Sequence, residues 1–265
     1  MSKFSLNKLF AFLLIILSFA HAADAQTEKH GKKNIIKKII KKVGGKKDDA
    51  SENADSEKKE TSKGRLPVII IPGLIGSELV NKNTGDKVWF DLLRAKDDDL
   101  RLPVSPNLKA NRDNLVAGDI LRKIQLIRFT PEIEIYQKLI DALEADGYSE
   151  GKLDAPPENG AADTFYVFPY DWRLDNVENA QNLLKKLDDL RANLKNPKLK
   201  FNVVAHSMGG LIARYAEMYG KADLTARKVR PTWKGASYFN NISLIATPNG
   251  GSLSALNSLL NGFSL

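Results

Sequence analysis

An apolar run that leads into a tight turn and then into a helical pattern constrains the fold of this 265-residue chain more than any other feature. Residues 201–204 are apolar and partly β-branched, which is typical of a buried strand. The apolar residues after the turn recur at helical spacing: Met208, Leu211, Ile212, Tyr215 and Ala216. The segment is therefore predicted to form a strand, a sharp turn and an amphipathic helix that packs on a sheet.

Ser207 occupies this turn between the small residues Ala205 and Gly209, as in a nucleophile elbow. Such a bend exposes the serine oxygen at the positive end of a helix, where the backbone N–H of Met208 can stabilise a developing oxyanion. The simpler interpretation is a serine that caps the N-terminus of a helix after a strand. The motif by itself leaves both interpretations open.

A second apolar strand, residues 66–71, runs into a glycine-rich turn at residues 72–77. Acyl transfer at a serine needs a second oxyanion donor, and a loop with an unhindered glycine at a strand end can offer one. The backbone N–H of Leu74 is the candidate for this donor. The alternative is a plain strand-to-loop turn in which Gly73 only supplies an unusual backbone angle.

The order of the remaining elements predicts the fold class. Strands are predicted at residues 164–168 and 242–246, with helical patterns between the strands. One helix is predicted to be capped by Thr130 and opened by Pro131, and another to span about residues 177–194. The first of these helices has an apolar face: Tyr136, Leu139, Ile140 and Leu143. This alternation predicts an α/β fold with a mostly parallel sheet and helices on both faces. Functional sites in such sheets form at the carboxyl ends of the strands, where four residues are expected: Gly73, Asp171, Ser207 and Thr247.

Five motifs follow one another along the chain: Pro-Gly-Leu-Ile-Gly-Ser at 72–77, Val-Trp-Phe-Asp-Leu at 88–92, Tyr-Asp-Trp-Arg at 170–173, Ala-His-Ser-Met-Gly-Gly at 205–210 and Ala-Thr-Pro-Asn-Gly-Gly-Ser at 246–252. In this combination the chain resembles the lecithin:cholesterol acyltransferase family over about residues 66–265. The resemblance implies an α/β-hydrolase fold and lipid acyltransferase or phospholipase activity. It also implies that Ser207 is the nucleophile and that the amides of Leu74 and Met208 form the oxyanion hole.

Residues 81–128 interrupt the alternation of strands and helices with an acidic run and two prolines. In the resembled family, insertions of this kind form a lid or cap over the lipid site. Trp89 and Phe90 within the insertion belong either to the core or to an acyl groove. For the Tyr-Asp-Trp-Arg block we expect a structural role, with Asp171 and Arg173 paired near the strand ends and Trp172 packed beside them.

An esterase serine needs a base and an acid, which follow the serine along the chain in the order acid, histidine in α/β-hydrolases. The chain has 3 histidines, and none follows Ser207. We expect His206 to be packed or hydrogen-bonded near the turn, because its side chain leaves the elbow in a different direction from Ser207. The acids after Ser207, Glu217 and Asp223, lie on or near the helix behind it. The chain is therefore expected to be an N-terminal fragment whose triad acid and histidine lie beyond Leu265, and to be inactive alone.

Residues 1–25 have the form of a secretory signal peptide, with two lysines, an apolar run and small residues suited to cleavage. An uncleaved anchor is the alternative, although the apolar run is shorter than a membrane span needs. The chain contains no cysteine, which excludes disulfides and a thiol nucleophile. These features predict a secreted or periplasmic protein. No pattern resembles a metal cluster or a phosphate-binding loop, so no cofactor is predicted.

A lysine-rich linker at residues 26–65 has few apolar residues and is predicted to be mostly disordered. Residues 1–65 carry 15 Lys and Arg against 8 Asp and Glu, whereas residues 66–265 carry 25 against 24. The basic character thus belongs to the leader and linker, and no nucleic-acid partner is predicted. Residues 33–43 place β-branched apolar residues on one side of a helix and lysines on the other. We expect residues 32–43 either to lie on an anionic membrane surface or to be helical only transiently.

These features together predict a serine-dependent lipid acyltransferase, phospholipase or lipase. Ser207 would form an acyl-enzyme that water or an acceptor alcohol releases. Two alternatives from other classes remain: a truncated, non-catalytic module that docks on membranes, and an esterase that acts on small soluble esters.

Overall fold

A computed structural model describes residues 64–91, 100–102, 105–124, 132–223 and 230–261. The predicted leader, most of the linker, the basic helix at residues 33–43 and the helix start at Thr130 and Pro131 lie outside these residues. The described residues form ten strands: β1 (Val68–Ile71), β2 (Ser77–Asn81), β3 (Lys87–Trp89), β4 (Leu115–Ile120), β5 (Lys123–Ile124), β6 (Ile133–Glu134), β7 (Ser149–Gly151), β8 (Thr164–Val167), β9 (Phe201–His206) and β10 (Phe239–Ile245). Their α-helices are α1 (Gln137–Ala145), α2 (Asn176–Asn193), α3 (Met208–Tyr219) and α4 (Leu253–Asn261).

Five strands form the main sheet in the order β10-β9-β1-β8-β7. Every neighbouring pair in this sheet is parallel, and β1 pairs with β9 on one side and β8 on the other. Parallel neighbours require a crossover connection, and the helices α2 and α3 lie in the connections that flank β9. The predicted α/β class with a mostly parallel sheet is therefore confirmed.

Both faces of the main sheet are covered. All four residues of β1 are buried, although successive side chains in a strand point to opposite faces. Ile69 and Ile71 pack in the main apolar cluster with Leu183 of α2 and Ile212 of α3, whereas Val68 and Ile70 are buried on the other face. This two-sided burial explains why β1 is continuously apolar in sequence.

The helix predicted at about 177–194 is confirmed as α2. It begins after Asp175, whose carboxylate accepts a hydrogen bond from the Val177 amide at 2.7 Å, so the helix has a side-chain cap. Helix α3 is also confirmed, but its buried face is shifted from the predicted one. Ile212 and Ala216 are buried as expected. Gly209 and Ala213 are buried instead of the larger residues that were expected, because small residues at these positions let α3 approach the sheet closely.

The helix predicted to open at Pro131 begins later. Residues Ile133–Glu134 form β6, which pairs antiparallel with β5, and Tyr136 stands at the N-cap position of α1. The amides of Ile135, Tyr136 and Gln137 all donate to the carbonyl of Arg122, at 2.9, 3.2 and 3.2 Å. This shared acceptor holds the residues before Gln137 in a bend, so the expected helix start is wrong.

The insertion at residues 81–128 contains most of a three-stranded antiparallel sheet in the order β3-β2-β4. Leu79 of β2 and Trp89 of β3 stand opposite each other and are both buried, so this small sheet buries apolar side chains of its own. These antiparallel strands form a sheet separate from the main parallel one, and the assignment of residues 81–128 as an insertion that forms a lid remains a prediction.

Helix α4 belongs to a second compact unit of the chain. It carries a row of exposed leucines, Leu253, Leu256 and Leu260, and no charged residue. No helix within the described ranges combines the length and apolar character that a membrane span requires.

Candidate active site

Ser207 stands at the junction of β9 and α3 with φ 50° and ψ −123°, a conformation that residues with a side chain rarely adopt. Backbone strain of this kind costs on the order of 1–3 kcal/mol and clusters at functional sites. The amide of Ser207 donates to the Ile245 carbonyl at 2.8 Å, and its side chain makes no capping hydrogen bond to α3. The predicted strand–turn–helix is confirmed, and the interpretation of Ser207 as a helix cap lacks the hydrogen bond that it requires.

Gly209 allows the first turn of α3 to press against the end of β1. A Cβ atom at Gly209 would lie 2.3 Å from the Pro72 carbonyl oxygen and 2.8 Å from the Ile71 carbonyl oxygen. Both contacts are with backbone atoms, which cannot swing aside as a flexible side chain can. The small residue at this position is therefore required by space, as expected of an elbow.

Gly73 begins the turn after β1 and lies directly beside Ser207. A Cβ atom at Gly73 would lie 2.9 Å from the Ser207 Cβ and 3.0 Å from the His206 Nδ1. Gly73 does not have a positive φ, whereas Ile75 in the same turn has φ 57°. The alternative in which Gly73 only supplies an unusual backbone angle is therefore wrong. A glycine is needed here because the Ser207 Cβ and the His206 ring occupy the space that a side chain at this position would take.

The two amides predicted to form an oxyanion hole belong to this turn and to α3. The Leu74 amide has no hydrogen-bond partner within the part of the chain that the structure describes, and the Leu74 side chain is 54% exposed. Met208 is the first residue of α3, and the first amides of a helix have no acceptor within it. Both groups are thus chemically able to donate to an anion, and their assignment as oxyanion donors remains a prediction.

The contacts of His206 do not suit it to act as the base for Ser207. Its Nδ1 lies 2.8 Å from the Tyr136 hydroxyl, and the two rings meet edge to face with centroids 5.8 Å apart. Burial lowers the pKa of His206, which favours the neutral imidazole near pH 7. The prediction that this histidine is packed and hydrogen-bonded near the turn is confirmed.

The turn after β1, residues 72–76, is called the β1–β2 loop below, and two buried tyrosines contact one of its peptide groups. The Gly73 amide donates to the Tyr136 hydroxyl at 2.8 Å. The Tyr170 hydroxyl donates to the Pro72 carbonyl at 3.0 Å. Burial raises the pKa of both tyrosines, so both hydroxyls keep their protons.

Two tryptophans hold the far end of the same loop. Trp89 donates its indole N–H to the Ile75 carbonyl at 2.9 Å, and Trp172 donates to the Ser77 carbonyl at 3.2 Å. The two indole rings contact each other edge to face, with centroids 5.5 Å apart. Trp89 is buried, which confirms the core interpretation for this residue.

Arg173 joins the end of β8 to the insertion. Its guanidinium donates to both carboxylate oxygens of Asp171, at 2.9 and 2.7 Å, and of Asp113, at 2.6 and 3.0 Å. The side chains of Arg173, Asp171 and Asp113 are 5%, 9% and 23% exposed. Burial by itself would raise the pKa of Asp113, but the hydrogen bonds from Arg173 and the Leu115 amide and the nearby positive charges together lower that pKa. The structural role predicted for the Tyr-Asp-Trp-Arg block is confirmed.

The acidic residues that follow Ser207 in sequence are hydrogen-bonded to other residues or lie on the helix behind it. Glu217 is on α3, and Asp223 accepts a hydrogen bond from Gln181 at 2.6 Å. Within the described ranges, His206 is the only histidine, and no group of three or more His, Cys, Asp and Glu could hold a metal ion. The described residues thus supply a serine and candidate oxyanion donors without an imidazole that is free to accept the serine proton.

Sequence reasoning missed Tyr136, Ser77 and Asp113 as partners of this site. Tyr136 is separated from Gly73 by 63 residues and from His206 by 70, and Ser77 accepts a hydrogen bond from the Tyr170 amide 93 residues away. Arg173 and Asp113 are 60 residues apart. The only sign of these partners in the sequence was a polar residue among apolar neighbours. Ser77 has this pattern, but it follows the glycine-rich segment 72–76, which is also typical of a turn.

Comparison with known proteins identifies a family and a similar solved structure. The family model described as lecithin:cholesterol acyltransferase matches residues 80–264, which is more than half of the chain and includes Ser207. No curated protein matches the chain. Among solved structures, a chain of "The crystal structure of Tle4-Tli4 complex" is similar, with 15% identity and a TM-score of 0.33. The match covers 75% of this chain and 48% of that chain, so this chain spans about half of its length, and a likeness this weak supports no functional argument.

Proposed function

This chain belongs to the lecithin:cholesterol acyltransferase family, and from that premise we propose that it carries the nucleophile of a serine-dependent lipid acyltransferase or phospholipase. Ser207 is the proposed nucleophile. The observation that carries the proposal is its strained backbone at the start of α3, with a side chain that makes no capping bond and with Gly73 packed against it. Strain of this kind has no structural benefit in a capping residue, but it suits a serine that must face a substrate.

The proposed reaction begins when the Ser207 oxygen attacks the carbonyl carbon of a fatty-acyl ester and loses its proton to a base. The amides of Leu74 and Met208 would stabilise the negative charge on the carbonyl oxygen. Collapse of this intermediate breaks the ester C–O bond, and the leaving alcohol takes up the proton. The acyl group then remains on Ser207 until water or an acceptor alcohol attacks it. Both outcomes use the same residues of this chain.

The described residues offer no base for this step, because His206 bonds to Tyr136 and the carboxylates after Ser207 lie on or beyond α3. We therefore expect this 265-residue chain by itself to turn over lipid esters slowly. Oxyanion donors and substrate binding without a complete triad accelerate hydrolysis about 10³–10⁴-fold over water, far below a complete site. Multiple turnover of a fluorogenic ester at an ordinary enzymatic rate, abolished in Ser207→Ala, would contradict this expectation.

Covalent labelling tests the nucleophile directly. We expect a long-chain fluorophosphonate to react slowly with the full chain and to modify Ser207, as shown by peptide mass spectrometry. Ser207→Ala should lose this label, whereas Ser149→Ala, which changes an exposed serine on β7, should keep it. Label that persists on Ser207→Ala at the wild-type rate would exclude Ser207. An unlabelled wild-type chain that still binds lipid vesicles would favour the non-catalytic membrane module.

We also propose that residues 32–43, which lie outside the described residues, bind anionic membrane surfaces. Six lysines in this segment lie beside β-branched apolar residues. Deleting residues 32–43 should weaken binding to vesicles that contain phosphatidylglycerol by at least about tenfold, since each lysine near such a surface contributes about 1 kcal/mol. Deleting residues 48–59, an acidic stretch of equal length, is the matched control. Equal sedimentation of both deletion variants with the vesicles would rule out the proposed segment.

A further inference from the structure

The Pro72–Gly73 peptide group is held at both of its ends by tyrosine hydroxyls from distant parts of the chain. The Pro72 carbonyl accepts from Tyr170 at 3.0 Å, and the Gly73 amide donates to Tyr136 at 2.8 Å. Because a peptide group is planar, two hydrogen bonds on opposite edges determine the orientation of the whole plane. Tyr136 and Tyr170, called the tyrosine pair below, are both buried.

In the next peptide group, Gly73–Leu74, the carbonyl is hydrogen-bonded, while the N–H has no partner among the residues that the structure describes. The Gly73 carbonyl accepts from the Gly76 amide at 3.0 Å. In a trans peptide the N–H points away from the carbonyl, so the Leu74 amide points to the side opposite this bond. Gly73 is the residue between the two peptide groups, and glycine has the widest choice of backbone angles. Without an anchor on the first peptide group, the direction of the second would be poorly determined.

The two hydrogen bonds of the Tyr136 hydroxyl determine which atom is the donor and which is the acceptor in each. A backbone N–H can only donate, so the Tyr136 oxygen accepts from Gly73, and its own proton needs an acceptor. The His206 Nδ1, at 2.8 Å, is the acceptor that the described residues offer. If Nδ1 carried a proton instead, the buried phenolic proton would have no partner there. His206 is thereby assigned as a neutral imidazole with its proton on Nε2.

We propose that the tyrosine pair positions the oxyanion donor of this site. Tyr136 and Tyr170 orient the Pro72–Gly73 peptide, the Gly76 amide orients the Gly73–Leu74 peptide, and the Leu74 amide is thereby presented beside Ser207. His206 completes the arrangement as the acceptor for Tyr136 and joins the β1–β2 loop to the residue before Ser207. This role rests on the proposed function of Ser207, and both tyrosines act as positioning residues that touch no substrate.

The test is the rate at which the full chain reacts with a long-chain fluorophosphonate, whose phosphoryl oxygen develops negative charge as a substrate carbonyl does. Tyr136→Phe and Tyr170→Phe should each lower the maximal labelling rate about tenfold or more, since loss of one oxyanion donor costs about 10²–10³-fold. The concentration of probe at half-maximal rate should stay the same, because binding of the acyl chain is unaffected. The double variant should be little slower than either single variant, because both bonds act on one peptide group.

Tyr166→Phe is the matched control. The Tyr166 hydroxyl is also buried and donates to the carbonyl of Gly160 at 2.9 Å, away from the β1–β2 loop. It should lower the melting temperature about as much as Tyr136→Phe and leave the labelling rate unchanged. If Tyr166→Phe slows labelling as much as Tyr136→Phe does, a general loss of packing explains the effect and the positioning role is wrong. If Tyr136→Phe leaves labelling unchanged while Ser207→Ala abolishes it, the positioning role alone fails. Labelling that survives in Ser207→Ala overturns the proposed nucleophile and the positioning role together.

Nitrogen NMR of histidine gives a readout that does not depend on labelling. With ¹⁵N-labelled histidine, the His206 signals, assigned by their loss in His206→Gln, should show an unprotonated Nδ1 and a protonated Nε2. Tyr136→Phe should shift the Nδ1 resonance by removing its hydrogen-bond donor, whereas Tyr166→Phe should leave it unchanged. A protonated Nδ1 in the wild-type chain at pH 7 would overturn the assigned proton directions and with them the link through Tyr136.

Discussion

Arg173→Met is expected to destabilise the fold by about 3–5 kcal/mol, because it leaves two carboxylates without their buried counter-ion. Asp171 and Asp113 each receive two hydrogen bonds from the Arg173 guanidinium, and Arg173 and Asp171 are almost completely buried. Methionine keeps most of the side-chain volume, so the loss measures charge pairing more than packing. Urea unfolding of the full chain, followed by tryptophan fluorescence, measures the change.

Arg112→Met is the matched control for this prediction. Arg112 pairs with Glu178 through side chains that are 40% and 39% exposed, and exposed ion pairs contribute about 0–1 kcal/mol. The control variant should therefore stay within about 1 kcal/mol of the wild-type chain. Equal destabilisation by Arg112→Met and Arg173→Met would show that burial of the Arg173 cluster adds no stability.

The effect of Arg173→Met should also depend on pH. Arg173 lowers the pKa of Asp113 below its ordinary value of 3.8, so the ionised carboxylate contributes stability above that pH. This contribution is lost as the pH falls from 3.8 through the lowered pKa of the folded state. The difference in unfolding free energy between the wild-type chain and the variant should therefore shrink in this acid range and be largest near neutral pH.

Gly209→Ala is expected to cost about 3 kcal/mol or more, at the upper end of what overpacking a buried site does. The added methyl group would lie 2.3 Å from the Pro72 carbonyl oxygen and 2.8 Å from the Ile71 carbonyl oxygen. Relief would require the helix α3 to move away from β1, and the strained turn at Ser207 would move with it. Thermal unfolding measures the loss, and fluorophosphonate labelling should fall in parallel.

Gly250→Ala is the control for Gly209→Ala. A Cβ atom at Gly250 would have no atom within 4 Å, and this glycine does not have a positive φ. Its substitution should change the unfolding free energy by less than about 0.5 kcal/mol. A Gly209→Ala chain as stable as Gly250→Ala would mean that the junction of β1 and α3 is more open than the structure shows.

Much of the fold could be predicted because its strands and helices carry periodic apolar patterns. The uninterrupted apolar run of β1 is typical of a strand buried on both faces, and α2 shows helical spacing over its whole length. The start of α1 could not be predicted in this way. Tyr136 fits the apolar face of a helix by spacing, but three amides that share the Arg122 carbonyl keep it outside the helix.

The residues of the candidate site also differ in whether the sequence could predict their roles. Ser207 and its flanking small residues could be identified because an elbow is a local structure of a few adjacent residues. The role of Gly73 could not be predicted correctly, because a tight approach and a positive φ both favour glycine and the sequence does not distinguish them. The structure shows the approach, in which the place of a side chain at Gly73 is taken by Ser207 and His206.

The sequence by itself determined the class of fold, the position of the strand–turn–helix and the residue at its centre, since these depend on residue types within short windows. The tertiary structure decided which polar groups meet there: Tyr136 with Gly73 and His206, Tyr170 with Pro72, and Arg173 with Asp113. These partners are 60 to 98 residues apart in the chain and come together only in the tertiary structure. Hydrogen bonds over such separations depend on sheet order and on burial, which leave no periodic pattern near either partner.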